Sequence, residues 1–137
     1  MAQTKLNQVE LMRKFLGSWK GEFAENSIFL CENKAFGNGI ISYSKITTDG
    51  ETLDSIVQLY GYDSVADKFT IAELKESSPV IEICSTWFTS KNAGEIIITN
   101  PINAPFSFKF EFKNPDLQLA RALYLQSGAF GPFVFHH

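Results

Sequence analysis

Between positions 106 and 112 the chain reads Phe106-Ser107-Phe108-Lys109-Phe110-Glu111-Phe112, a ring at every second residue with a polar group between. Residues two apart share a face only in an extended strand, so this segment has one apolar and one wetted side. A sheet of that kind is antiparallel, and its apolar side has to meet other apolar surface in a sandwich or a barrel. Thirteen phenylalanines among 137 residues indicate a large apolar interior, because this side chain fits a pleated surface and carries no polar handle.

The same period recurs elsewhere. Asp67–Leu74 sets Phe69 and Ile71 against Thr70 and Ala72. Val80–Thr89 sets Ile81, Ile83, Ser85 and Trp87 against Val80, Glu82, Cys84 and Thr86. Turn residues separate the runs: Gly37-Asn38-Gly39, Thr48-Asp49-Gly50, Tyr62-Asp63-Ser64, Ser77-Ser78-Pro79, Asn92-Ala93-Gly94, Asn114-Pro115-Asp116 and Ser127-Gly128. Roughly eight to ten strands with short connections, and no strand–helix alternation, predict an up-and-down antiparallel barrel rather than a parallel α/β sheet. Closure removes the two open edges that a meander of this length would otherwise expose. Residues 1–137 form one domain at this length.

Only the N-terminus has helical spacing. Leu6, Val9, Met12, Phe15 and Leu16 make one apolar stripe, Asn7 followed by Glu10 resembles a capping box, and Gly17 suits a left-handed stop. Such a stripe needs a partner, so residues 1–16 are expected to lie as a helix over one barrel mouth.

The net charge of −3 and the scattered basic residues argue against nucleic acid and against an anionic membrane surface. Cys31 and Cys84 have no metal-ligand spacing and give no disulfide framework, although one bridge between them remains open. No apolar stretch reaches signal-peptide or membrane-span length, so a cytoplasmic protein is the default expectation.

Leu16-Gly17-Ser18-Trp19-Lys20-Gly21 carries a Gly-x-Trp at the entry to the first strand, directly after a short helix. This resembles the opening signature of the lipocalin and fatty-acid-binding (calycin) superfamily. Together with Gly61-Tyr62-Asp63 and the strand that follows to Phe69, it is most similar to a bacterial lipocalin-like family of unknown function, DUF1579. The resemblance implies a calycin-like barrel with an interior cavity and structural roles for Gly17 and Trp19. It implies no particular ligand, because fold is not function.

Candidate ligand contacts are Arg121, Trp87, Phe108, Phe110 and Tyr43. Arg121 alternates with Leu117, Leu119, Leu123 and Leu125, so a cation placed indoors there needs a partner. It could hold an anionic ligand head or, by similarity to lipocalins, cover Trp19; a bulge turning it to solvent is the third reading. Trp87 and the Phe106–Phe112 rings are core first, and become a pocket wall if the barrel is not filled. Small residues opposite the rings, Ser42, Ser44, Ser55 and Ser85, decide which. Tyr43 and Tyr60 could each supply a hydrogen bond, with a place on the surface or rim as the plainer reading.

For catalysis there is little. His136 and His137 are the only histidines and both end the chain, so no internal imidazole can serve as base. Glu73 and Glu82 could pair as carboxylates on neighbouring strands, although solvent-facing glutamates are the plainer reading. The expectation is therefore a non-enzymatic, cofactor-free and metal-free binder of a small apolar or amphipathic molecule. Two alternatives stand beside it. One is a haem-binding barrel similar to nitrobindin, with His136 or His137 near the iron. The other is a ligand-free structural or interaction module, a homodimer among its forms.

Overall fold

The computed structural model describes the backbone at residues 5–100, 106–114, 117–124 and 129–136, and their side chains except at 23, 24, 106, 114, 117–124 and 129–135. A short helix α1 (Gln8–Met12) and one 3-10 turn (Arg13–Phe15) precede the strands. These are β1 (Gly17–Ala24), β2 (Ser27–Phe36), β3 (Gly39–Thr48), β4 (Glu51–Asp63) and β5 (Lys68–Lys75). They continue as β6 (Ser78–Phe88), β7 (Ala93–Asn100), β8 (Phe106–Asn114), β9 (Leu117–Tyr124) and β10 (Ala129–His136). Each strand pairs antiparallel with the next, and β10 returns to β1 through Gly21↔Phe135 and Lys20↔His136, closing the wall. The chain is thus mainly β, an up-and-down barrel compatible with a calycin-like fold.

Hairpin turns are set locally. Between β3 and β4, Asp49 and Gly50 both take positive φ (52° and 83°), the pairing of conformations that matches the twist of the flanking strands. Between β4 and β5, the Asp63 carboxylate accepts from the amides of Val65 (2.9 Å) and Ala66 (3.2 Å), and Tyr62 donates its hydroxyl to Asp67 at 2.6 Å. The Gly-Tyr-Asp motif is therefore a turn that carries its own hydrogen bonds.

The regular helix is shorter than the 1–16 segment expected from the apolar stripe. Asn7 caps it by accepting from the Glu10 amide at 3.1 Å, but after Met12 the chain tightens to a 3-10 turn, and Gly17 at φ 112° is already the first residue of β1. Residues 1–4 lie outside the described residues. What the segment does is cover one end. The Gln8 side chain donates to the Phe88 carbonyl at 2.9 Å and accepts from the Phe88 amide at 2.8 Å, so it continues the ladder at the end of β6. Lys14 reaches the Lys91 carbonyl and the Asn92 side chain on the turn after β6.

Under this cover lies the core: Met12, Phe15, Trp19, Ile40, Phe69, Phe88, Phe110 and Phe112. Phe15 meets Phe110 and Phe112 edge-on, each with centroids 5.1 Å apart, an arrangement that aromatic quadrupoles favour. Gly94 permits this approach: a Cβ there would lie 2.3 Å from the Phe110 ring and 2.2 Å from the Trp87 carbonyl oxygen. Trp19 donates its indole N–H to the Phe15 carbonyl at 2.9 Å, and Asn33 donates to the same oxygen at 2.7 Å. Gly-x-Trp thus turns the chain into the sheet and locks the first indoor ring against the covering segment.

Candidate binding site on the inner wall of the barrel

Cross-strand register sorts the two faces. On β8 the buried Phe110 and Phe112 face in; Phe110 is opposite Gly94 and Phe108 is opposite Ile96, so Ile96 and Ile98 also face in. The inward row continues through Cys84 and Thr86 on β6, then Phe69, Ile71 and Glu73 on β5. It passes Ile56, Gln58 and Tyr60 on β4, Ser42 and Ser44 on β3, and Cys31 and Asn33 on β2. Away from the covering segment this row becomes mixed, with Gln58, Glu73, Glu82 and Cys84 beside Ile56, Ile96, Ile98 and Phe108.

Two hydrogen-bonded chains run along it. Tyr60 donates its hydroxyl to the Gln58 Oε1 at 3.1 Å, and Gln58 Nε2 donates to Glu73 Oε1 at 3.1 Å. Glu73 sits directly opposite Glu82, whose other neighbour is the Lys75 ammonium at 4.0 Å. In the second chain Cys31 Sγ donates to Asn33 Oδ1 at 3.0 Å, and the Ser42 and Ser44 hydroxyls lie next along the wall. Glu73, Lys75, Ser78, Val80 and Glu82 line a recess of about 110 Å³.

The electrostatics follow from burial. Removal from water, and then the hydrogen bond with Glu82, raise the Glu73 carboxyl above its usual range, with Lys75 and Gln58 working against this. Burial, and secondarily Glu73 and Glu82, push the Cys84 thiol up to about 12. Burial likewise raises the Tyr60 phenol. A thiol and a phenol held neutral in this way are weak nucleophiles, so the wall offers hydrogen-bond donors and acceptors rather than reactive anions.

The residues singled out in the sequence are distributed unevenly. Phe110 is buried in the closed-end core, while Phe108 faces in and is only half-buried. Tyr43 and Trp87 face out, correcting their expected place as interior contacts: each sits between buried inward neighbours, Ser42 and Ser44, or Thr86 and Phe88. Trp87 instead lies under the Lys68 ammonium, 3.8 Å from its ring centroid. Arg121 is in register with exposed Lys109 rather than with a phenylalanine, and its side chain lies outside the described residues. Of the four small residues, Ser42 and Ser44 face in, whereas Ser55 and Ser85 share the outward parity of Tyr43 and Trp87. His136 is exposed opposite exposed Lys20, and His137 lies outside the described residues.

Gln58 and Cys84 are not singled out by the sequence; Glu73 and Glu82, a possible carboxylate pair with solvent exposure as the plainer reading, do sit opposite each other and are only partly exposed. Their signal was the alternation of β6, where Glu82 and Cys84 share a face with Thr86 and Phe88. Among the described residues no three His, Cys, Asp or Glu side chains gather as metal ligands, and no helix is long and apolar enough to cross a membrane. Both cysteines are free.

The fold and site define a closed antiparallel barrel with one end covered by α1 and the 3-10 turn. No protein-family model matches the chain, and no curated protein matches it either.

Proposed function

We propose that the protein is a lipocalin-like, non-enzymatic container for a small amphipathic molecule. The ligand enters from the end away from the covering segment and turns a hydrogen-bond donor, such as a hydroxyl, amide or amine, toward Gln58, Glu73 and Glu82. Its apolar part lies along Ile96, Ile98 and Phe108. One observation carries this reading: Gln58, Glu73, Glu82, Cys84, Ile96, Ile98 and Phe108 all point inward, yet solvent still reaches them. An interior that only had to be filled would hold apolar side chains here, since buried polar groups cost free energy unless paired. The likeness of Leu16–Gly21 and Gly61–Phe69 to DUF1579 belongs to the same proposal, as does a cytoplasmic location, which suits two unpaired thiols.

The test uses the neutral aromatic amine N-phenyl-1-naphthylamine. Its emission should rise to saturation at one equivalent per chain, and Cys84→Phe, which fills the inner wall between Ile71 and Ile98, should weaken binding by about tenfold or more while keeping the β-sheet circular dichroism. Absence of a saturable signal, together with a native mass spectrum showing only the bare chain, would overturn the reading.

A further inference from the structure

The outward face of the barrel carries a feature that containment does not use. On β3 to β6 the outward positions are Ile41 and Tyr43, Val57 and Leu59, Ala72 and Leu74, and Ile81 and Ile83. Register lines them into rows: Ile41 is opposite Leu59, Leu59 opposite Ala72, and Ala72 opposite Ile83. Tyr43 is likewise opposite Val57, and Val57 opposite Leu74. The result is one apolar field across four strands with no charged residue inside it. Its five most open members range from 41% exposed at Val57 to 53% at Leu59.

From this face we infer a homodimer, two barrels packed through β3–β6. Three observations select a second copy as the occupant. First, half-exposed side chains of this size leave on the order of 100 Å² each in water, so the field presents roughly 500 Å². A stable interface takes about 800 Å² per partner, of which about 65% is apolar in homodimers, and that share is close to what the field supplies. Second, the remaining polar rim is present. A groove of about 620 Å³ continues from Tyr43 and Val57 across β2 to β1, edged by the charged Lys20, Glu32 and Lys45. Third, every strand of the closed wall has a paired neighbour on both sides, with β1 and β10 joined through Lys20–Glu22 and Val134–His136, so edge-to-edge strand addition is disfavoured relative to packing through the face. A face without charge gives an acidic or basic partner nothing to read, whereas a two-fold interface needs only self-complementarity.

Sedimentation equilibrium of the full chain tests this independently of any ligand. The expected species at micromolar concentration has twice the 15.4 kDa chain mass. Leu59→Lys and Leu74→Lys, both on exposed positions that leave the core intact, should each weaken association by about 30-fold or more. Val65→Lys, in the exposed β4–β5 turn, should leave it unchanged. A wild-type chain that is monomeric at about 100 µM, where a Kd near 1 µM would leave little monomer, overturns the inference. So does a dimer that survives both lysines with its β-sheet circular dichroism intact. A monomer that floats with neutral phosphatidylcholine vesicles would give the face to a lipid surface instead and likewise overturn it.

Discussion

At the covered end of the barrel Phe15 meets the rings of Tyr60, Phe88, Phe110 and Phe112, and the polar atoms there occur as matched pairs, with Gln8 against the Phe88 backbone and Trp19 and Asn33 on the Phe15 carbonyl. Away from that end the inward wall carries Gln58, Glu73, Glu82 and Cys84, all only partly buried, with Gln58 donating to Glu73 along the wall. Packing density and paired backbone groups make the first end the source of stability. The second keeps polar groups where apolar ones would cost less free energy, the observation on which the proposed ligand site rests. The tightly packed covered end and the more polar remainder of the inner wall are thus distinct parts of one interior.

Substitutions at the two ends should differ accordingly. Phe15→Ala removes the ring that ties the covering segment to the barrel, and should cost about 3–5 kcal/mol in urea or guanidinium unfolding. A loss below about 1 kcal/mol would mean that the covering segment is not part of the cooperative core. Gln8→Leu keeps the volume but strips the Phe88 amide and carbonyl of their partner. A loss of about 1–3 kcal/mol is expected, with faster amide exchange at Phe88.

Glu73→Gln, away from the covered end, has the smallest expected effect and the opposite sign. The folded state raises the pKa of Glu73, so it binds the proton more tightly than the unfolded chain does. Stability from this group is therefore fully present below the ordinary carboxylate range and is lost as pH rises through the elevated value. Replacing the acid with an amide should stabilise the protein near neutral pH by on the order of 0.5 kcal/mol and flatten that part of the Tm-versus-pH curve. An unchanged slope between pH 4 and 7, roughly the range in which a raised carboxyl titrates, would remove Glu73 from the interior wall.

Much of this architecture was legible in the residues. The β8 alternation is unambiguous because Phe alternates with Ser, Lys and Glu, and Phe110 and Phe112 are indeed buried while Lys109 and Glu111 are exposed. The capping Asn7 and the turns at Asp49-Gly50 and Asp63 are read from local chemistry, and the structure uses them for that chemistry. On β4 the pattern gives no such answer, since Ile56, Gln58 and Tyr60 alternate with Ser55, Val57 and Leu59 and both faces contain apolar side chains. Hydropathy alone would turn Val57 and Leu59 inward; the register with β3 and β5 turns them out and brings Gln58 in. The same ambiguity governed Tyr43 and Trp87.

What the chain determined by itself was period, turn chemistry and the helical start, because each depends on residues a few positions apart. Which face of β3, β4 and β6 points indoors was decided by tertiary structure. Strand register couples the parity of every strand to its neighbours around a closed wall, so the buried rings of β8 set the orientation of strands whose own composition left it open. The placement of Glu73 opposite Glu82, and of an apolar field on the outside, follows from that closure.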